Sequence, residues 1–400
     1  MIQREKYLNK LIQAKDSDFV KIITGVRRSG KSSILTLFKN YLIKNGVNEK
    51  NIIEINYEKY VFDEIKSEKT LFKYIKDCVT DEKKMYFLID EVQEIEAWAK
   101  VINSLRVSFN ADIYVTGSNS KMFSGEHLTY LSGRYIEIKV LPLSFKEFLT
   151  FKSYNENNLE EHFNEYLRVG SFPAISLTNQ QELVEAILSG LFDSIFTRDI
   201  ILKGKIKNEG AFYKVAKFVF ENIGNNTSAN AIKNALISNG HKITSDTVDN
   251  YLQLMCDAHM LYQCERYDIR GNERLKTNGK YYVVDTGLRN KLIGYRQGNL
   301  GHIIENIVFL QLIRMGYEVS IGKNMSFEVD FIAVKGLNRL YFQVSLTALE
   351  SSTYDREINA LLKINDQYPK YLITMDKLNL SKNGIVHLNL FDFLLEKFNF

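Results

Sequence analysis

The chain has 400 residues, 45% hydrophobic and 25% charged, which suits a globular protein of roughly two to four packed domains. Its formal charge of +4 is too small to commit the whole surface to nucleic acid, so any basic contact has to be local. Cys78, Cys256 and Cys264 lack metal-ligand spacing and read as free thiols of a reducing compartment. No apolar run nears the ~18–20 residues that cross a bilayer, and the first residues lack a signal-peptide core, so a cytoplasmic protein without membrane contact is expected.

Residues 2–14 place Leu8, Leu11 and Ile12 on one helical face. A β-type run follows at 19–24, and residues 33–41 return to helical spacing. Between them, residues 25–32 read Gly-Val-Arg-Arg-Ser-Gly-Lys-Ser. A strand before and a helix after is the setting in which this spacing forms a phosphate-binding loop. Gly25 and Gly30 let the backbone through Val26, Arg27, Arg28 and Ser29 wrap a phosphate chain, with N–H groups turned inward. The positive end of the next helix, which begins near Ser32 and Ser33, adds to the attraction. Lys31 is expected at the β- and γ-phosphates and the Ser32 hydroxyl on Mg²⁺, which makes ATP with Mg²⁺ the expected ligand.

A second strand is expected at 51–56, then lysine- and glutamate-rich solvated segments through 58–76. Residues 85–91, Met-Tyr-Phe-Leu-Ile-Asp-Glu, read as a buried strand ending in two carboxylates. Asp90 there would hold Mg²⁺ through water, and Glu91 would polarise the attacking water as the general base of phosphoryl transfer. Trp98 reads as a partly buried helix aromatic. A fourth strand at 112–117 leads to Ser118 and Asn119; Asn119 is a candidate for the γ-phosphate or the attacking water, or else a turn cap. Arg134, ahead of a fifth strand at 135–140, is a candidate arginine finger within one subunit or across a homo-oligomer, or else a surface arginine.

Five alternating strands, with one between the phosphate-loop strand and the Asp-Glu strand, form the layout of AAA+ ATPases. The chain also resembles the prokaryotic AAA+ ATPases whose C-terminal half is a domain of unknown function. The resemblance rests on residues 25–32, on Leu88-Ile89-Asp90-Glu91-Val92-Gln93, on Thr116-Gly117-Ser118-Asn119-Ser120, on Gly133-Arg134-Tyr135 and on residues 141–148. It implies a helical lid at 144–205 behind an ATP-binding domain at 1–143. In the lid, Pro173 after Gly170 would let the backbone approach the adenine, or would simply stop a helix; Arg198 would sense nucleotide or pair with an acid.

From 206 to 295 three amphipathic helices (212–223, 228–238, 245–258) and a β-hairpin suggest a winged helix. Its third helix carries Asp246 and Asp249 and is not basic; the hairpin carries Arg266, Arg270, Arg274, Lys276 and Lys280 and is mildly so. DNA and protein are therefore both open as partners. Residues 296–400 run helix–strand–strand–strand–helix–strand, an order that resembles the PD-(D/E)XK nucleases. Glu305, Asp330 and Gln343 fall on the metal-site positions of that fold, but Ser345 stands where its lysine belongs, so these read as a vestigial site and cleavage is not expected. Lys363 is a candidate migrated substitute.

The expected protein is thus an α/β, Mg²⁺-dependent ATP-hydrolysing switch. It combines a P-loop AAA+ core on a parallel five-stranded sheet with a helical lid, a winged helix and a C-terminal α/β nuclease-like domain, and it repositions the last two on a DNA or protein partner. The alternatives are an ATP-gated metal-dependent nuclease and a nucleotide-binding signalling or adaptor module with little turnover.

Overall fold

A computed structural model describes residues 2–79, 83–120, 129–271, 273–295, 298, 300–324, 327–398 and 400. The four expected segments fall into two compact units: residues 1–142 with 257–259, and residues 143–256 with 260–400.

In the first unit five parallel strands, β1 (Val20–Thr24), β2 (Ile52–Asn56), β3 (Met85–Asp90), β4 (Ala111–Gly117) and β5 (Tyr135–Lys139), lie in the order β2-β3-β4-β1-β5. The expected insertion of one strand between β1 and β3 is therefore met by β4. β1 and β3 are buried along their whole length, because helices cover both faces. Ile22, Phe87, Ile89 and Val115 pack on one face with α3 (Glu68–Cys78) and α4 (Trp98–Ser108). Ile23, Leu88, Tyr114 and Ile138 pack on the other with α1 (Glu5–Ala14) and α2 (Lys31–Lys44). Alternate residues of each strand thus feed opposite layers. Trp98 is buried. Lys21 of β1 and Asp112 of β4, both wholly inaccessible, form an ion pair inside the sheet.

The second unit begins with α5 (Phe145–Lys152), α6 (Leu159–Val169), the short α7 (Pro173–Ser176) and α8 (Gln181–Asp193), which runs into a π-helical stretch, Ser194–Leu202. Ser144 and Glu147 close a reciprocal cap at the start of α5. Three helices follow, α9 (Glu209–Glu221), α10 (Ala229–Ser238) and α11 (Ser245–Asp257), with Ser228 capping α10 and the Thr244 hydroxyl accepting from Thr247 N–H at the start of α11. Next come β6 (Leu261–Asp268), β7 (Glu273–Val283), α12 (Thr286–Ile293) and α13 (Leu300–Arg314). The chain ends in β8 (Glu318–Asn324), β9 (Phe327–Lys335), β10 (Asn338–Val344), α14 (Ser351–Leu362), β11 (Lys370–Thr374), β12 (Ile385–Asn389) and α15 (Leu390–Leu394).

One expectation is corrected here. The hairpin β6–β7 is not a projecting wing. It forms the end of a seven-stranded mixed sheet, β12-β11-β10-β9-β8-β6-β7, in which β6 pairs in parallel with β8 through Arg266, Tyr267 and Asp268. Of the residues that suggested a basic wing, Lys280 pairs with Glu305 in the interior and Arg266 with Glu328 in a half-buried contact, whereas Arg274 pairs with Glu318 at the surface and Arg270 is exposed. The Lys276 side chain lies outside the described residues.

Candidate phosphate-binding site

The loop after β1 is built by two glycines. Gly25 has φ +142°, and a Cβ there would fall 2.1 Å from Val140 O and 3.3 Å from Ser29 Oγ. Gly30, φ +101°, enters α2 in the left-handed region. No larger residue fits this path, which is the physical content of the motif. Lys31 is the first residue of α2, and its Nζ donates to Gly25 O at 3.0 Å and Val26 O at 3.2 Å. Ser29 Oγ is buried with no hydrogen-bond partner among the described residues, an orphan that suits a polar ligand. Ser32 and Ser33 are exposed on the first turn of α2. Arg27 pairs with Glu58 at 3.2 Å, and Arg28 adopts φ +65°.

Asp90 ends β3 at the same carboxyl edge of the sheet. Thr116 Oγ1 donates to its Oδ1, and Asn56 Nδ2 donates to its Oδ2 at 3.0 Å. Burial pushes Asp90 above the usual carboxylate range, against the pull of the Thr116 and Ser32 hydroxyls. Glu91 adopts φ +58°, a left-handed conformation that costs roughly 1 kcal/mol or more for a residue with a side chain and recurs at functional sites. Its N–H donates to Thr116 Oγ1 at 3.0 Å, while its Oε2 accepts from Gln93 Nε2 and from Ser118 Oγ at 3.3 Å. A hydroxyl and a carboxylate side by side are hard oxygen donors that fit Mg²⁺.

The structure therefore brings together the loop 25–33, Asp90 and Glu91, with Asn119 two residues past the end of β4 on the same edge. It does not bring Arg134 there. Arg134 O accepts from Val20 N–H at the amino ends of β1 and β5, a whole strand away from the loop; five residues span about 16 Å. This corrects the within-subunit arginine-finger expectation, because the side chain is too short for that span. Pro173 is the first residue of α7 in the second unit, and Arg198 is exposed on the π-helical stretch. The Asp199 carboxylate pairs with Lys203 at 3.1 Å.

Sequence reasoning named Gln93, Thr116 and Ser118 without finding that they hold the two carboxylates, and it missed Asn56, which does the same, and Arg4. The buried Arg4 guanidinium donates to Ser29 O at 2.8 Å and Leu141 O at 3.0 Å, tying the loop to the segment after β5.

In the second unit Glu305 (α13), Asp330 (β9) and Gln343 (β10) lie near one another, and Lys280 of β7 pairs with Glu305 and Asp330. Lys363, the candidate substitute, lies with Asp330, Gln343, Arg356 and Glu357 along a cavity of about 550 Å³. Burial and the negative charge of Glu305 push Asp330 up to about 8. Burial alone would lower Lys280, but Glu305, Asp330 and Glu328 hold it above the ordinary lysine range.

No helix is long and apolar enough to cross a membrane among the described residues. Residues 17–149 match the model of an AAA domain, and residues 160–299 match a domain of unknown function (DUF8612). An uncharacterized protein of Haemophilus influenzae is 43% identical over 377 residues, covering 94% of this chain and 93% of that protein. One of Methanocaldococcus jannaschii is 31% identical over 381 residues, covering 90% and 82%. Among solved structures, a Walker-type ATPase of Pyrococcus abyssi matches 73% of this chain and 96% of its own at 15% identity, TM-score 0.49. The ORC1 protein of Aeropyrum pernix in complex with DNA matches 73% and 92% at 10% identity, TM-score 0.31. With its glycine-built loop, its Asp-Glu strand end, the AAA-domain match and the relatives at 43% and 31% identity, the chain belongs to the family of prokaryotic AAA+ P-loop ATPases that carry a domain of unknown function behind the AAA core.

Proposed function

We propose that this protein is a Mg²⁺-dependent ATP-hydrolysing switch whose nucleotide state is transmitted to the C-terminal unit and, through it, to a partner. The observation that carries the reading is that the phosphate loop, with Lys31 on the Gly25 and Val26 carbonyls, and the acidic strand end of Asp90 and Glu91 stand at the same carboxyl edge of one parallel sheet. Ser32 and Asp90 are the residues that would hold Mg²⁺; bound, the ion would neutralise charge on the β- and γ-phosphates. The loop N–H groups and Lys31 bind and orient the triphosphate. Glu91, fixed by Gln93 and Ser118, accepts hydrogen bonding from the attacking water and turns it toward phosphorus. Asn119 stands at the same edge as a second polar contact for that water or for the γ-phosphate. A role for Arg134 on phosphate requires a neighbouring copy of the chain, so a homo-oligomer is part of this proposal.

Within the second unit, α9–α11 followed by the hairpin have the order of a winged helix, and the segment from α13 to β11 has the order of a nuclease-like fold. The pairing of Arg266 and Lys280 within the sheet supports a protein partner over a wing laid on phosphates, and DNA is the second partner class. Phosphate release by the full chain with ATP and Mg²⁺ tests the ATPase. Lys31→Ala should abolish nucleotide binding, and Glu91→Gln should retain ATP while slowing release at least about 100-fold. Equal release by wild type and Glu91→Gln, both at the no-enzyme rate, would instead make the protein a nucleotide-binding adaptor.

A further inference from the structure

Three carboxylates and one ammonium meet in the second unit. Lys280 Nζ stands 2.9 Å from Glu305 Oε1, 3.1 Å from Glu328 Oε1 and 3.7 Å from Asp330 Oδ1, and its side chain is 6% exposed. The β6–β7 pairing shifts register between Cys264 and Arg266, and Gly279 is pressed so close that a Cβ would fall 2.6 Å from Cys264 O. Lys280 is the next residue, and the irregularity directs it inward rather than along the hairpin surface.

The lone pairs that a metal would need are taken by the protein's own donors. Glu305 Oε1 accepts from the Tyr282 hydroxyl at 2.6 Å as well as from Lys280. Glu305 Oε2 faces His302 Nδ1 at 3.5 Å, and Gly224 packs so tightly beside it that a Cβ would lie 3.4 Å away. Asp330 Oδ2 accepts from Val344 N–H at 2.9 Å. Gln343 accepts from Asp330 N–H through Oε1 and donates to Glu357 at 2.6 Å through Nε2. Among the described residues, no group of three His, Cys, Asp or Glu side chains is arranged to hold a metal ion. A divalent metal requires several free oxygen donors in one shell, and these residues do not fit one.

We infer that Lys280 is the resident cation of the Glu305–Glu328–Asp330 cluster, occupying the place of a divalent metal and closing this nuclease-like site to metal-dependent chemistry. The ammonium cross-links an edge strand, a central strand and a helix, so the cluster serves to hold the hairpin on the sheet. Metal cannot enter unless Lys280 leaves. The inference is independent of ATP hydrolysis and is tested without nucleotide.

The full-length chain is titrated with Mn²⁺ and bound ion is counted by electron paramagnetic resonance. Wild type and Glu305→Gln should give the same isotherm. Lys280→Met, which keeps the length of the side chain without its charge, should gain one Mn²⁺ site at least about tenfold tighter than any in wild type. Lys280→Met/Asp330→Asn should lose it. The melting temperature of Lys280→Met should rise with Mn²⁺ while that of wild type does not. A wild-type Mn²⁺ site that Glu305→Gln removes would overturn the inference. So would a folded Lys280→Met that gains none. If Lys280→Met fails to fold, the wild-type and Glu305→Gln isotherms still decide.

Discussion

Thr116→Val removes one hydroxyl from the centre of the proposed catalytic site while preserving shape and β-branching. Thr116 is inaccessible to solvent, and its Oγ1 both donates to Asp90 Oδ1 and accepts from Glu91 N–H at 3.0 Å. Loss of a hydrogen bond to a charged carboxylate costs about 1.5–3 kcal/mol, and an orphaned buried N–H costs about 1–3 kcal/mol. The two losses share one atom and do not add fully, and the new methyl returns about 0.8 kcal/mol by burial. The net expectation is a destabilisation of about 2–4 kcal/mol. Trp98, the one tryptophan of the chain, lies buried in the first unit and reports its unfolding. With a urea slope of about 1–3 kcal/mol/M, the fluorescence midpoint should fall by roughly 1–2 M. Thr116→Ser keeps both hydrogen bonds and should fall much less. Asp90 loses a donor that lowers its pKa, so its carboxyl should move further up and phosphate release should weaken with it. A Thr116→Val midpoint within about 0.3 M of wild type at unchanged slope would refute the claim that this hydroxyl organises Asp90 and Glu91.

Asp112→Ala leaves the Lys21 ammonium buried without its carboxylate and should cost about 3–5 kcal/mol in the same unfolding assay, whereas Lys21→Met/Asp112→Ala should recover most of that loss. Arg4→Ala should raise the KM for ATP about tenfold with a smaller change in kcat, because it releases the loop carbonyl of Ser29 without touching Glu91; Arg4→Lys should restore only part, lacking the fork that spans Ser29 O and Leu141 O. His259 is pushed down to about 3 by burial, aided by the positive charges of Lys139 and Lys31. Its unfolded form takes up a proton below 6.5 and its folded form does not, so its contribution is present above that pH and is lost as pH falls toward 3. The first unit should lose up to about 1.4 kcal/mol per pH unit in this window, and His259→Gln should flatten the slope in a series of urea midpoints.

The features legible in the sequence are those written by neighbours in the chain. The loop 25–33 needs glycines at fixed offsets between a strand and a helix, and β3 is a run of six buried residues, apolar up to the closing Asp90, so both are readable directly. What stayed hidden depends on register and on contacts between distant segments. Thr116 meets Asp90 only because β4 lies beside β3 with Val115 opposite Ile89. Arg4 reaches Leu141 and Pro142 across 137 and 138 positions. Lys280 read as one base in a hairpin tip because its partners lie on α13 and β9. A signal was available in the pattern: Lys280 and Tyr282 share a strand face by the period of two, and both end on the Glu305 carboxylate. The final strand and helix, β12 and α15, were not anticipated, since residues 385–394 give a short apolar run with no turn chemistry to divide it.

Lys31 and Lys280 are both nearly buried and sit among acceptors, and the nature of those acceptors separates the proposed ligand site from the structural one. Lys31 Nζ rests on the neutral carbonyls of Gly25 and Val26 at 3.0 and 3.2 Å. Carbonyl dipoles are weak competitors for an ammonium when a polyanionic phosphate arrives, so this contact exchanges readily and keeps the side chain near its target. Lys280 rests on Glu305, Glu328 and Asp330, which carry formal charge whenever ionised, and removing the ammonium would leave those carboxylates buried against one another. Exchange there requires a cation to replace a cation, together with movement of β7. The first lysine is poised for an anion and the second is locked against one. That difference in charge, more than the likeness of either motif, supports the proposed ligand chemistry in the first unit and the inferred cross-link in the second.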